Sequence, residues 1–163
     1  MKSASVGGVA ARRPCRRHPW MDLCLAWRPT LTAAGAAVAT GEILIFINAD
    51  TVPQPGWLTG LVQPLIKSKY IGVTTSCIVL ADAPHLVNTC GNDVTWTGLT
   101  VCRGLGEPAE AWQRGSQVSA ASGAALAIRR ELFERVGRFD DTFQFYFDDT
   151  DLSLRAQLAG YGV

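Results

Sequence analysis

Acidic motifs stand at two places in this chain of 163 residues, one with a single carboxylate and one with three, each after a strand-like apolar stretch. Asn48-Ala49-Asp50 ends the run Ile43 to Ile47, and Asp148-Asp149-Thr150-Asp151 follows Phe145-Tyr146-Phe147. Hard oxygen donors of this kind suit Mg2+ or Mn2+. Ligands of open α/β sheets sit outside the carboxyl ends of their strands, which is where Asp50 falls. A single Asp in that place either binds a cation or caps the N–H groups of the loop it heads. Asn48, two residues earlier on the same face, tips the balance toward a ligand site. Asp151 is explained as an acid at a helix start, favoured by the dipole and by free N–H groups. That does not explain two more carboxylates beside it. Crowded carboxylates repel, a cost commonly borne at a metal or catalytic site, and one of the pair could act as a general base. The two clusters together suggest a metal-assisted enzyme.

Between them lies Ser122-Gly123-Ala124-Ala125. Gly123 has no side chain, so backbone there either meets a ligand closely or packs tightly against a neighbouring strand. Trp96 and Trp112 would stack on a sugar ring or fill core, and core is the better reading for each alone. The GxSxG, HExxH and GxxxxGK[ST] patterns are absent.

The elements that must position these groups alternate between strand and helix, which argues for an α/β fold. Residues 1–28 show no periodicity and read as an irregular leader; residues 29–163 read as the folded domain. PTLTAAGAAVATG predicts a short helix, with Pro29 in its first turn and Gly41 as its stop. Ile43 to Asn48 is a strand buried on both faces. A helical apolar stripe runs from Trp57 to Ile66, with a kink or early end at Pro64. Ile71 to Leu80 reads as one strand. Short strands span Val87 to Val101 with a turn at Gly91-Asn92-Asp93, and a loop follows at Gly104 to Pro108. A helix covers Arg130 to Val136, closed by Gly137. A last helix starts near Asp149 or Thr150 and ends at Gly160, and Tyr161-Gly162-Val163 looks like the start of another strand.

Composition narrows the class. Hydrophobic residues make up 48% and charged residues 18%, as in globular proteins. A net charge of +1 offers no electrostatic reason to bind nucleic acid. No stretch reaches the roughly 18 apolar residues of a membrane span. Five widely spaced cysteines form no CxxC pair, which disfavours a disulfide framework or zinc site and fits a reduced cytosolic setting. Two histidines exclude a histidine-rich metal site. The Arg-rich, acid-free start has the flavour of a transit peptide, but the plainer reading is a disordered or non-native leader.

GEILIFINADTVPQPGWLTGL, followed by GAALAIRRELFERVGRFDDTFQFYFDDTDLSLRAQLAGYGV, closely resembles the family 2 glycosyltransferases, in particular their bacterial rhamnosyltransferase-like group. The resemblance covers about Ala34 to Val163. It implies a GT-A fold, an α/β/α sandwich on a mixed, mainly parallel sheet. It implies inverting transfer of a sugar from a nucleotide-diphospho-sugar donor to a hydroxyl of a glycan or lipid-linked acceptor, in cell-surface polysaccharide synthesis. Asn48-Ala49-Asp50 matches the DxD-like motif, with Asp50 as ligand of Mg2+ or Mn2+ and Asn48 in place of the first acid. Asp148-Asp149 matches the Glu-Asp pair, with Asp149 as base and Asp148 tuning or orienting it. Ser122, Gly123 and Ala124 match the segment beside the donor sugar. The implied setting is cytoplasmic, at the inner face of the membrane, with room for peripheral association of a full-length protein.

The family's opening strand and helix, which hold the nucleotide base, have no counterpart legible in residues 1–33, and the C-terminal sheet is missing. The expectation is a catalytic domain incomplete at both ends. An inert fragment that folds or binds without turnover is the alternative. A phosphatase of the haloacid dehalogenase type is a remote one, since Asn48 stands where its Asp nucleophile must be.

Overall fold

The computed structural model describes residues 21–25, 29–143 and 146–163, with side chains from Ala34 onward. Its centre is a four-stranded sheet in the order β1 (Met21–Leu25), β2 (Ile43–Ile47), β8 (Ala125–Arg129), β3 (Val73–Thr75). β1 pairs parallel to β2, while β8 runs antiparallel to both β2 and β3. Three of the four strands therefore share a direction, with β8 inserted against them. β1 corrects the leader reading for Met21 to Leu25; the rest of that leader, with Cys15, His18 and the early arginines, lies outside the described residues.

All five residues of β2 are buried, as a strand covered on both faces requires. Ile43 and Ile45 pack with Leu61, Val62 and Leu65 of α2 (Trp57–Lys67). Leu44 and Phe46 face the other way, toward Ala36 of α1 (Pro29–Val38), Leu132 and Phe133 of α3 (Arg130–Arg135), and Leu152 and Ala156 of α4 (Asp148–Leu158). This is an α/β/α sandwich. Phe46, Phe133 and Phe139 form a ring cluster with centroids 5.0 to 5.4 Å apart.

Pro64 does not end α2, which continues to Lys67. An interior proline costs about 3 kcal/mol. Three buried aliphatic side chains at about 1.5–3 kcal/mol each outweigh that. Arg129 then serves the helix end, donating to the carbonyls of Leu65, Ser68 (3.0 Å) and Ile71 (3.0 Å). Its neighbour Arg130 does the same for α1, donating to Gly41 O at 2.6 Å and Ala36 O at 3.4 Å. Two adjacent arginines thus satisfy orphan helix carbonyls.

The expected strand Ile71 to Leu80 is broken. β3 stops at Thr75, which lies opposite Leu126 near the start of β8. Ser76 N–H still donates to Ala125 O at 3.0 Å, and beyond it the chain forms β4 (Ile78–Val79) against β5 (Val87–Thr89). Cys77 and Cys90 are joined by a disulfide across this bend, against the expectation of reduced cysteines. The expected turn at residues 91–93 is also displaced. Asn92 and Asp93 belong to β6 (Asn92–Val94), which pairs with β7 (Thr100–Cys102), and the turn lies at 95–99. Gly91 precedes the hairpin at φ +89, where an added Cβ would come within 2.9 Å of Val118. Trp96 sits at the hairpin tip, 97% exposed rather than in the core. Trp112, half-buried in a short 3-10 turn (Ala109–Trp112), donates to Glu107 at 2.9 Å.

Gly137 and Gly160 follow α3 and α4 in left-handed conformation, as expected of helix stops. Ile71 bridges in parallel to Gly162, so the last residues do begin to pair as a strand. Phe133 is fully buried and touches both other rings of its cluster. Phe133→Ala is expected to lower unfolding stability by about 3–5 kcal/mol in urea titrations.

Candidate functional site

β2 delivers Asn48, Ala49 and Asp50 at its carboxyl end. The turn they enter is tied to the loop before β8: Asn48 N–H donates to Ala124 O at 3.0 Å, and the Thr51 hydroxyl donates to the same oxygen at 3.4 Å. One residue back, Gly123 N–H donates to Asp149 Oδ2 at 2.6 Å. A short chain of hydrogen bonds thus joins the two acidic motifs through the Ser122-Gly123-Ala124 loop. An added Cβ at Gly123 would lie 3.2 Å from Asp149 Oδ2 and 3.3 Å from Asp149 Cβ. The absent side chain is what lets the carboxylate approach. The tight packing foreseen for Gly123 is against Asp149, not against a strand.

Asp149 is half-buried, and its Oδ1 accepts from Thr150 N (2.7 Å) and the Thr150 hydroxyl (3.3 Å). A carboxylate has about four acceptor sites. Three are in use among the described residues. Asp149 sits in the first turn of α4, where the dipole favours negative charge. Ser153, fully buried one turn on, accepts from Ala121 N at 3.0 Å and donates to Asp149 O at 2.7 Å. Asp151 is engaged elsewhere. It pairs with Arg155, which also donates to the carbonyls of Val136 and Arg138, locking α4 onto the loop after α3. Tyr146 and Phe147, immediately before the acid pair, both take left-handed φ of 64° and 69°. Such backbone strain concentrates at functional sites, and both rings are exposed, by 79% and 46%.

Asp50 is exposed and accepts no hydrogen bond among the described residues, so it does not cap its loop. Its carboxylate and the Asn48 amide are oxygen donors of the type a divalent cation takes. No group of three or more His, Cys, Asp or Glu is arranged to hold a metal ion among the described residues. A cavity of about 230 Å³ lies alongside, lined by Thr51 to Pro55, Trp57, Ser76 and Ile78. Sequence reasoning missed Thr51, Ser76 and Ser153; each is a small hydroxyl whose role depends on partners distant in the chain.

Burial pushes the Asp148 carboxyl above its ordinary value of 3.8, and the Asp149 charge adds to the rise. The folded chain therefore holds a proton there that the unfolded chain has lost. Its contribution to stability is complete below about pH 3.8 and is lost as pH rises through the raised folded value. Asp148→Asn is expected to gain thermal stability over wild type at pH 7 and to lose most of that gain at pH 4. Equal differences at both pH values in thermal melts would contradict this.

The family model described as "Glycosyltransferase like family 2" matches residues 25–163. The chain is 29% identical over 147 residues to the O-antigen biosynthesis protein RfbC of Myxococcus xanthus, a match covering 83% of this chain and 11% of RfbC. Among solved structures, GalNAc-T7 with UDP, GalNAc and Mn2+ aligns at a TM-score of 0.60 and 21% identity, over 82% of this chain and 28% of that one. The mannosyltransferase PcManGT of Pyrobaculum calidifontis, with GDP-Man and Mn2+, aligns at 0.50 and 19%, over 80% of this chain and 31% of its own. The fold is thus GT-A, the chain spans less than a third of each of these relatives, and the phosphatase alternative falls. With its two acidic motifs in order and a family match over most of its length, the chain belongs to glycosyltransferase family 2.

Proposed function

We propose that this chain carries the catalytic centre of an inverting glycosyltransferase. It would move a sugar, rhamnosyl or another hexosyl, from a nucleotide-diphospho-sugar to a hydroxyl of a glycan or lipid-linked acceptor in cell-surface polysaccharide synthesis. The observation that carries this is the Asp149 carboxylate, held by Gly123 N–H in a loop that also grips the β2 end bearing Asp50. The O-antigen role in RfbC's name supports the polysaccharide setting, and the two sequence blocks support the rhamnosyl-like subgroup.

Asp149 is the base. Its carboxylate takes the proton of the acceptor hydroxyl as that oxygen attacks the anomeric carbon. The bond from that carbon to the diphosphate breaks on the opposite face, so configuration inverts without a covalent enzyme intermediate. Asp148 orients and tunes Asp149. Ser122, Gly123 and Ala124 face the donor sugar. Asp50, with Asn48, would hold Mg2+ or Mn2+, which when bound neutralises charge on the leaving diphosphate. Mn2+ in both solved relatives supports that choice.

Asp149→Asn is expected to abolish transfer while leaving donor affinity within about twofold, since only the proton acceptor is lost. Retained turnover would refute the assignment. Isothermal titration with UDP or dTDP plus Mn2+ is expected to show binding that disappears in Asp50→Ala. A folded sample that binds neither nucleotide would instead support the inert fragment. We also place the chain in the cytoplasm at the membrane's inner face; among the described residues no helix is long and apolar enough to cross a membrane.

A further inference from the structure

Three successive backbone N–H groups in the loop before β8 donate to side-chain oxygens. Ala121 donates to Ser153 Oγ at 3.0 Å, Ser122 to Thr75 Oγ1 at 3.1 Å and Gly123 to Asp149 Oδ2 at 2.6 Å. Two of these acceptors belong to α4 and are themselves linked, since Ser153 donates to Asp149 O. They would move with Asp149 if the helix shifted. Thr75 is different, because it stands on β3 and belongs to the sheet.

Its hydroxyl has a single proton, and the nearer acceptor is Ala125 O at 3.2 Å, with Ser122 O at 3.5 Å. Thr75 therefore accepts at one side of the bend and donates at the other, closing the turn from Ser122 to Ala125. Ala125 N–H to Ser122 O, at 3.2 Å, closes the same turn from within. Directly inside that turn lies Gly123 N–H, the donor that aims the Asp149 carboxylate.

We propose that Thr75 is a positioning residue for Asp149: it fixes the Ser122-to-Ala125 turn against the sheet and so sets where Gly123 holds the carboxylate. Its catalytic consequence rests on Asp149 being the base; its structural consequence does not. Without the hydroxyl, Ser122 N–H loses its acceptor in a partly buried place and the turn relaxes. A shift of about 1 Å in a catalytic group lowers rates by roughly a hundredfold. The sequence signals none of this, since Thr75 reads as one more β-branched strand residue.

Thr75→Val keeps shape and removes the hydroxyl, and Thr75→Ser keeps the hydroxyl. The probe is the Gly123 amide proton of the 15N-labelled full chain, read by NMR at one fixed pH. The short bond to the carboxylate is expected to place it downfield in wild type, and Asp149→Ala should move it upfield. Thr75→Val should move it most of the way to the Asp149→Ala position while the spectrum stays folded, and Thr75→Ser should keep it at the wild-type position. An unmoved Gly123 amide in Thr75→Val, or a moved one in Thr75→Ser, would overturn the proposal. In transfer assays, Thr75→Val should lower kcat by about 10–100-fold with donor KM within about twofold. A wild-type chain with no turnover would refute the transferase reading, and the Gly123 amide position would still decide the role of Thr75.

Discussion

The hydrogen bond from Gly123 N–H to the Asp149 carboxylate joins two parts of the chain that share no ladder. On one side is the sheet, with β2 ending in Asn48 and Asp50. On the other is α4, entered through the aromatic turn before Asp148. Ala124 O takes the Asn48 N–H, so a single loop holds both motifs, and Gly123 is the point at which they meet. A Cβ there would sit 3.2 Å from the carboxylate, so Asp149 would have to give by a few tenths of an ångström. A charged acceptor makes such a bond short and strong, and it costs nothing to reorganise at the moment of reaction.

Several features of the site oppose folding. Tyr146 and Phe147 hold left-handed backbone without being glycine, Asp148 is pushed toward protonation by burial, and two carboxylates adjoin. The compensation lies around it. The Phe46, Phe133 and Phe139 rings lie in the core cluster that also holds Leu152 and Ala156 of α4. Arg155 ties the same helix to Asp151 and to the carbonyls after α3. Arg129 and Arg130 secure the ends of the helices on either face of the sheet. The site is strained locally and held from all sides.

Much of this was legible in the residues. A run of five apolar residues ending in Asn-Ala-Asp could only be a strand covered on both faces, and β2 is one. Helix stops at Gly137 and Gly160 were plain because glycine alone takes those angles freely. What stayed hidden depended on partners far along the chain. β1 is five residues long and carries no alternation, so periodicity says nothing there. The break comes where β3 runs past Ala125, the first residue of β8, which residues 71–80 do not reveal. The Cys77 and Cys90 pairing follows from that bend. Trp96 read as core, yet it stands at the tip of the β6–β7 hairpin. Asp50 and Asp149 could be named from type and order, but the bond through Gly123 that brings their motifs together could not.

The most direct measurement is paramagnetic broadening. Mn2+ and UDP are added to the 15N-labelled chain, and the amide signals of both motifs are followed together. One shared centre requires that Asp50, Gly123 and Asp149 all broaden, and that Asp50→Ala removes the effect at all three. Broadening confined to the surroundings of Asp50, with Gly123 and Asp149 unaffected, would contradict it.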